Sequence, residues 1–225
     1  MQDLVIDSYT RGERYRFLSI FFSQEPVVEY IDRLSNEAEN IKQLFKTEES
    51  NLDEEIDSLV VELLKVFSSE DKNHEVEKLY FDYMRLFVGP DGPHAPPWES
   101  VYTSEEALIF EKSTLQVREQ YAQLGLEYVL KDSEPDDHIA PELQFMAHVS
   151  DQVKTAESDA NIVRGALERQ LLFLETHLSK WVGRFCDEIE KNAQSGVFQK
   201  LPLLLRAFVS IDYQQLERSL ASMNQ

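Results

Sequence analysis

Apolar side chains recur at steps of three and four residues along most of this chain, and no stretch alternates at every second residue. This spacing is typical of amphipathic α-helices that each bury one face. Glycine is scarce, with seven in 225 residues, and Asp91-Gly92 is the one dipeptide typical of a β-hairpin turn. The sequence therefore predicts an all-α fold, a single globular bundle of about nine or more helices. One predicted buried stripe consists of Leu52, Ile56, Leu59, Leu63 and Phe67.

One segment interrupts the helical pattern. Residues 86–102 read LFVGPDGPHAPPWESVY and hold four of the eight prolines and two of the seven glycines. A helix that Asn73 is suited to cap leads into this segment, and Thr103 with Glu106 forms a capping-box pattern beyond it. Because proline fixes the φ angle, residues 88–102 are predicted to be a stiff, proline-rich loop that joins two helices.

A second interruption lies at residues 131–138, a polar linker that contains Pro135 and reads KDSEPDDH. An amphipathic pattern follows it, and Pro141 fits the first turn of a helix better than an interior position. The linker carboxylates are suited to capping that helix, and at a groove they would attract an arginine guanidinium. The sequence therefore predicts an acidic linker between two helices at residues 131–138.

The composition argues against several classes of protein. Hydrophobic residues make up 42 % of the chain, which is enough to fold despite a net charge of −20. That charge repels a phosphate backbone, so we expect no nucleic-acid partner. Solubility is the first explanation of the acidic excess, and a preference for a basic ligand or peptide is the alternative. No apolar run approaches the ~18 residues of a membrane helix, and the N-terminus shows no secretory pattern. A single cysteine excludes an internal disulfide, and we expect a cytoplasmic protein.

The sequence contains no common catalytic motif. GxSxG, GxxxxGK[ST], GxGxxG and HExxH are all absent, as is the Glu-x-x-His of carboxylate-bridged metal pairs. We therefore expect no enzyme activity, no catalytic residue, no metal centre and no cofactor, and we expect Cys186 to be a small buried hydrophobe. A helical metalloprotein built on His138, Glu142 and His177 is the alternative from another class, although capping and core packing account for these residues.

Four short motifs occur in order along the chain: LFVGP at residues 86–90, APPWESVY at 95–102, EPDDH at 134–138 and FLETHLSKW at 173–181. Their sequences, order and spacing resemble the TorD/DmsD family, and the likeness covers most of the chain. This resemblance implies an all-helical cytoplasmic chaperone for molybdenum-cofactor oxidoreductases. Such chaperones bind the twin-arginine signal peptide or the apoenzyme, hold back export until the cofactor is loaded, and do no chemistry on the client.

The resemblance also implies that the acidic linker is a hinge between an N-terminal helical part, residues 1–132, and a C-terminal part, residues 133–225, of one compact domain. It implies as well where the client binds: at this acidic hinge, at the proline-rich loop and on the aromatic face before that loop. The candidate peptide-binding residues are Glu134, Pro135, Asp137, His138, Trp98, Tyr102, Tyr80, Tyr83, Phe87, His177 and Trp181. Some family members bind guanine nucleotide, but this sequence has no phosphate-binding loop to support that. Both a monomer and a domain-swapped dimer are compatible with the sequence. The alternative within the family is a chaperone whose client lacks a twin-arginine signal.

Overall fold

The computed structural model describes residues 2–47, 52–90, 92–106, 108–130, 134–155 and 159–223. Within these ranges the chain forms eleven α-helices and no β-strand, so the predicted all-α fold is confirmed. The helices are α1 (Gln2–Ser23), α2 (Val28–Asn36), α3 (Ala38–Phe45), α4 (Leu52–Phe67), α5 (Lys72–Tyr83), α6 (Glu99–Thr103), α7 (Lys112–Ala122), α8 (Ile139–Thr155), α9 (Ala160–Phe173), α10 (Ser179–Asn192) and α11 (Gly196–Ser222). Two π-helical segments, Met84–Val88 and Leu174–Leu178, continue α5 and α9.

The described residues group into two compact units. Unit 1 takes those of Met1–Ile20, Pro97–Val182 and Val209–Gln225, and unit 2 takes those of Phe21–Pro96 and Gly183–Phe208. The helices α1, α10 and α11 each contribute residues to both units. The division of the chain at residues 132 and 133 stays a prediction.

The core of unit 1 is built around α8 and α9, which have the most extensive contact of any two helices in the described chain. The Phe145 and Phe173 rings lie 4.5 Å apart, and the Tyr121 ring of α7 lies 5.1 Å from that of Phe145. These three rings connect α7 to the helix pair.

A buried charged cluster joins α1 to α11 within unit 1. The guanidinium of Arg11 pairs with the carboxylate of Asp212, and both side chains are almost completely buried. Tyr15 donates its hydroxyl proton to Oδ2 of the same carboxylate at 2.6 Å. Burial and the Asp212 charge both raise the pKa of Tyr15, so its hydroxyl remains a donor at neutral pH.

Unit 2 has an aromatic core. The Phe87 ring lies 5.5 Å from the Phe22 ring and 5.4 Å from the Tyr83 ring, both edge to face. Phe185 and Phe198 complete the cluster, at 6.1 and 5.5 Å from Phe87. Because edge-to-face contacts add to the energy of burial, the aromatic face that precedes the proline-rich loop serves as the core of this unit.

The start of the proline-rich loop is fixed against the π-helical segment that precedes it. Gly89 has a φ of +52°, and a Cβ at this position would lie 2.4 Å from the carbonyl oxygen of Gly92, so only glycine fits. The backbone N of Ala95 donates to the carbonyl O of Leu86 at 2.8 Å. The loop is therefore ordered at this end, as its proline content predicted.

Two helix boundaries differ from the sequence prediction. Asp71, not Asn73, caps α5, because its Oδ1 accepts a hydrogen bond from the backbone N of His74 at 3.3 Å. Thr103 and Glu106 do not begin a helix: α6 ends at Thr103, and the next helix starts at Lys112. The sequence also predicts Asn51 as the N-cap of the helix that carries the Leu52 stripe, and this residue lies outside the described ones. Pro141 lies in the first turn of α8, as expected.

Candidate functional site

The end of the proline-rich loop and the predicted hinge meet in unit 1. Trp98 and His138 face each other in an isolated antiparallel backbone bridge, although they are far apart in sequence. The backbone N of Ile139 donates to the carbonyl O of Pro97 at 2.9 Å. The Trp98 and His138 rings lie 5.9 Å apart, edge to face. Two of the four sequence motifs are thus joined directly.

Asp137 is fully buried, and donors from unit 1 surround its side chain. Its Oδ2 accepts from the backbone N of Ser100 at 2.7 Å, and its Oδ1 accepts from Oγ1 of Thr114 at 2.8 Å. Ser113 Oγ lies 3.4 Å from Oδ2. Because Ser100 is the second residue of α6, Asp137 caps that helix from a distant part of the chain. A role of Asp137 in peptide binding stays a prediction.

His138 caps the next helix. Its Nδ1 accepts a hydrogen bond from the backbone N of Ala140, near the start of α8, at 3.1 Å. Burial lowers the pKa of His138 to about 4, so at neutral pH the ring is uncharged and Nδ1 is free to accept. Its peptide-binding role also stays a prediction.

We expect His138 to lower the free energy of unfolding by up to about 3 kcal/mol as the pH falls from 6.5 to about 4. Across this window the unfolded chain binds a proton on the imidazole and the folded chain does not, so added protons favour unfolding. Urea unfolding of the wild type and of His138→Asn at a series of pH values measures the effect, because asparagine also accepts a capping hydrogen bond. Parallel profiles for the two proteins would contradict this expectation.

Two buried glutamates, one from α6 and one from α8, form a polar centre in unit 1. Glu99 Oε2 lies 2.9 Å from Nδ1 of His177, and the indole nitrogen of Trp181 donates to Glu142 Oε2 at 3.2 Å. Burial raises the pKa of Glu142 well above its ordinary value, and the nearby carboxylates of Glu99 and Asp137 raise it further. Glu142 therefore keeps its proton to a higher pH than an exposed carboxyl, which lowers the cost of placing acidic groups together in this interior.

The aromatic residues at the end of the loop motif are half-buried in unit 1. The Tyr102 ring stacks on the Trp181 ring at 5.5 Å, with 25° between the ring planes. The indole N–H of Trp98 is buried and has no hydrogen-bond partner, which is unusual for a buried donor. The loop motif therefore contacts the FLETHLSKW motif through Tyr102, as well as the hinge motif through Trp98.

The remaining hinge residues are held by α7 and the segment after it. Tyr128 donates its hydroxyl proton to Oε2 of Glu134 at 3.0 Å, and burial followed by the Glu134 charge raises the pKa of Tyr128. Asp136 is buried and bonded to Arg118 through Nε at 3.0 Å and Nη2 at 2.6 Å. Pro135 is buried as well. Among the hinge carboxylates that the structure describes, those of Glu134, Asp136 and Asp137, that of Glu134 is the one with appreciable exposure.

Three of the predicted binding residues, Tyr80, Tyr83 and Phe87, lie in unit 2, and the other eight lie in unit 1. Tyr83 and Phe87 belong to the aromatic core. Tyr80 is half-buried, and its ring lies 5.7 Å from that of Phe81, which is 61 % exposed. Phe81 was not singled out by the sequence, because an aromatic residue next to a core stripe gives no local sign of its exposure.

The described residues also answer whether the chain has a reactive cysteine, a metal site or a membrane-spanning helix. Cys186 is buried, and burial raises the pKa of its thiol to about 12, so it is not a thiolate nucleophile at neutral pH. Within the residues that the structure describes, no group of three or more His, Cys, Asp or Glu side chains is placed to hold a metal ion. No described helix is both long and apolar enough to cross a membrane.

The fold and this site define a class of all-α proteins in which a proline-rich loop and an acidic hinge meet at a buried polar centre. Residues 49–187 match the family described as the nitrate reductase delta subunit, and the chain belongs to this family.

Its relatives are chaperones by name. The chaperone protein TorD of Vibrio cholerae serotype O1 (strain ATCC 39315) is 29 % identical over 212 residues, which cover 94 % of each chain. The Tat proofreading chaperone DmsD of Salmonella typhimurium is 30 % identical over 135 residues, 60 % of each chain. A solved structure, described as a putative redox enzyme maturation protein from Archaeoglobus fulgidus, covers 89 % of this chain and 92 % of that one, with 21 % identity and a TM-score of 0.48. The predicted resemblance to the TorD/DmsD chaperones is confirmed.

Proposed function

We propose that this protein is a cytoplasmic chaperone that binds the twin-arginine signal peptide, the apo form, or both, of a molybdenum-cofactor oxidoreductase. It assists cofactor insertion and holds back export, and it catalyses no reaction on its client. The observation that carries the proposal is the similarity to a protein named chaperone TorD over 94 % of both chains. The name of the second relative, a Tat proofreading chaperone, supports the signal-peptide part.

The chemistry of the chain supports this proposal. A twin-arginine signal presents two guanidinium groups followed by an apolar stretch, so its receptor needs carboxylates close to apolar and aromatic surface. Unit 1 offers the partly exposed carboxylate of Glu134 and the half-buried rings of Trp98 and Tyr102. The net charge of −20 would speed the approach of a basic peptide.

We expect isothermal titration to detect binding of twin-arginine signal peptides from molybdenum-cofactor oxidoreductases at low salt. The affinity should fall several-fold between about 0.05 M and about 0.5 M salt, because salt screens attraction between exposed charges. A peptide with the same apolar stretch but without the arginines is the control and should bind more weakly. Absence of binding for signal peptides from several such enzymes, with folded protein at low salt, would refute the signal-peptide part of the proposal.

A client without a twin-arginine signal is the second candidate, because the description of the family, the nitrate reductase delta subunit, names a reductase and no signal peptide. In this case the protein binds the body of an apoenzyme. Identification of the co-purified client distinguishes the two candidates, because the sequence of that client either carries or lacks a twin-arginine signal. The predicted monomer or domain-swapped dimer is measured in the same experiment by light scattering.

A further inference from the structure

A cavity of about 270 Å³ lies in unit 1 under the segment that leads to the hinge. Its lining consists of Tyr121, Leu126, Glu127, Tyr128, Pro141, Gln144, Phe145 and His148. The buried residues Tyr121, Pro141 and Phe145 form its floor, and the exposed residues Glu127 and Gln144 lie at its mouth. No lysine or arginine lines the cavity, so an entering cation meets no such side chain in the lining.

Hydrogen bonds to the hinge fix two of the aromatic side chains that line this cavity. Tyr128 Oη donates to Oε2 of Glu134 at 3.0 Å, and Tyr121 Oη donates to the carbonyl O of Asp136 at 3.1 Å. The Tyr121 ring is also held against Phe145, with 5.1 Å between the ring centres. Because these rings are already ordered, a ligand that packs on them pays little additional ordering entropy.

The size and lining of the cavity indicate the class of ligand. Its volume lies just below the ~300–1,000 Å³ typical of pockets for small molecules and cofactors, so a single side chain fits it better than a nucleotide does. Aromatic faces attract cations, and arginine more often than lysine. Carboxylates pair with a guanidinium through two parallel hydrogen bonds. Glu127 supplies a carboxylate in the lining, and Glu134 supplies a second one next to the lining residue Tyr128, to which it is hydrogen-bonded.

Exposed apolar residues follow the cavity directly along the chain. Val129 is 93 % exposed and Leu130 is 47 % exposed, immediately after Tyr128. A largely exposed valine next to a pocket favours an interaction surface over a solvated loop. The cavity and this apolar pair therefore present a cation-binding pocket followed by an apolar contact, which matches a peptide in which arginine precedes an apolar stretch.

We propose that this cavity binds an arginine side chain of a client peptide, and that the apolar residues after this arginine lie on Val129 and Leu130. The inference rests on the proposed function and places its electrostatic contact at the cavity. The carboxylates of Asp136 and Asp137 are already bonded inside unit 1, to Arg118 and to the α6 and α7 donors. The arginine of the client peptide thus binds beside the hinge. The buried carboxylates of Asp136 and Asp137 stabilise the structure around the cavity.

A charge change at the mouth of the cavity tests this inference. The probe is a synthetic peptide in which two adjacent arginines precede a stretch of leucine and alanine, with a second peptide that carries neutral citrulline in place of both arginines. We expect Gln144→Lys to weaken binding of the arginine peptide about tenfold or more, because like charges in contact repel, and Gln144→Glu to strengthen it. The citrulline peptide should bind weakly and respond little to either change.

Gln116→Lys is the matched control. Gln116 is exposed on α7, outside the cavity lining, and its replacement changes the net charge by the same amount. We expect it to change the affinity by less than about twofold at moderate salt, where distant charges are screened. If the wild-type protein binds the peptide and the Gln144→Lys and Gln116→Lys variants bind it with equal affinity, the inference that the cavity binds the arginine is refuted. The proposed function is not affected by that result. No binding of the arginine peptide by the wild-type protein also overturns the cavity inference, whereas the proposed function is refuted only by signal peptides and apoenzymes of the oxidoreductases themselves.

Discussion

Replacing Asp212 with alanine is expected to lower the free energy of unfolding by about 3–5 kcal/mol, because it removes one partner of a buried ion pair. Arg11 is 3 % exposed and Asp212 is completely buried, so the variant keeps a guanidinium in the interior without its carboxylate. The Tyr15 hydroxyl also loses this carboxylate as its acceptor, which lies 2.6 Å away in the wild-type protein. Urea unfolding followed by circular dichroism measures the difference between the variant and the wild type.

Asp187→Ala is the matched control for this prediction. The Asp187 carboxylate also pairs with an arginine, Arg206, but it is 65 % exposed, and exposed pairs contribute only ~0–1 kcal/mol. The double variant Arg11→Met with Asp212→Leu should recover much of the stability that Asp212→Ala loses, because it removes the uncompensated charge. Equal losses for Asp212→Ala and Asp187→Ala would show that the buried pair contributes no more than the exposed one.

Much of the helical fold is predictable from the sequence, because an amphipathic helix is encoded by residues close together in the chain. The stripe Leu52, Ile56, Leu59, Leu63 and Phe67 shows this. The first four residues are buried in α4 as their spacing predicts, and Phe67, the last residue of the helix, is half-buried. Helix starts are harder to predict where the cap comes from elsewhere. The helix α6 begins at Glu99 because the Asp137 carboxylate accepts a hydrogen bond from the backbone N of Ser100 in its first turn. No local sequence pattern near residue 99 indicates this distant cap.

The candidate site is predictable to a lesser extent. Motif order identified Trp98 and His138 as candidates, but not that a backbone bridge joins them. The pairing of Glu99 with His177 depends on the packing of helices that are distant in sequence, and a single sequence read by itself does not reveal that packing. Burial is similarly hidden: Asp137 lies in an acidic, polar segment that is typical of an exposed linker, yet the structure surrounds it with donors.

We expect Asp137→Ala to lower the free energy of unfolding by about 2–4 kcal/mol, because buried donors left without an acceptor cost roughly 1–3 kcal/mol each. The backbone N–H of Ser100 and the hydroxyl of Thr114 lose their acceptors at 2.7 and 2.8 Å. The hydroxyl is free to rotate towards another acceptor, whereas the backbone N–H is fixed by α6, so most of the loss comes from Ser100. Thermal and urea unfolding of the purified variant measure it, and an unchanged midpoint would contradict the capping role.

A second substitution at residue 137 tests whether the Asp137 carboxylate contacts a client peptide directly or affects binding only by stabilising the fold. Asp137→Asn is the matched variant, because its amide oxygen retains an acceptor for Ser100 while the negative charge is removed. Since the carboxylate is buried and its hydrogen bonds are internal, we expect fully folded Asp137→Asn to bind a twin-arginine peptide with wild-type affinity. Any loss of binding by Asp137→Ala should then follow its folded fraction and disappear at temperatures where the variant is folded. Weakened binding by folded Asp137→Asn would contradict this expectation, because removing the charge would then affect the peptide directly.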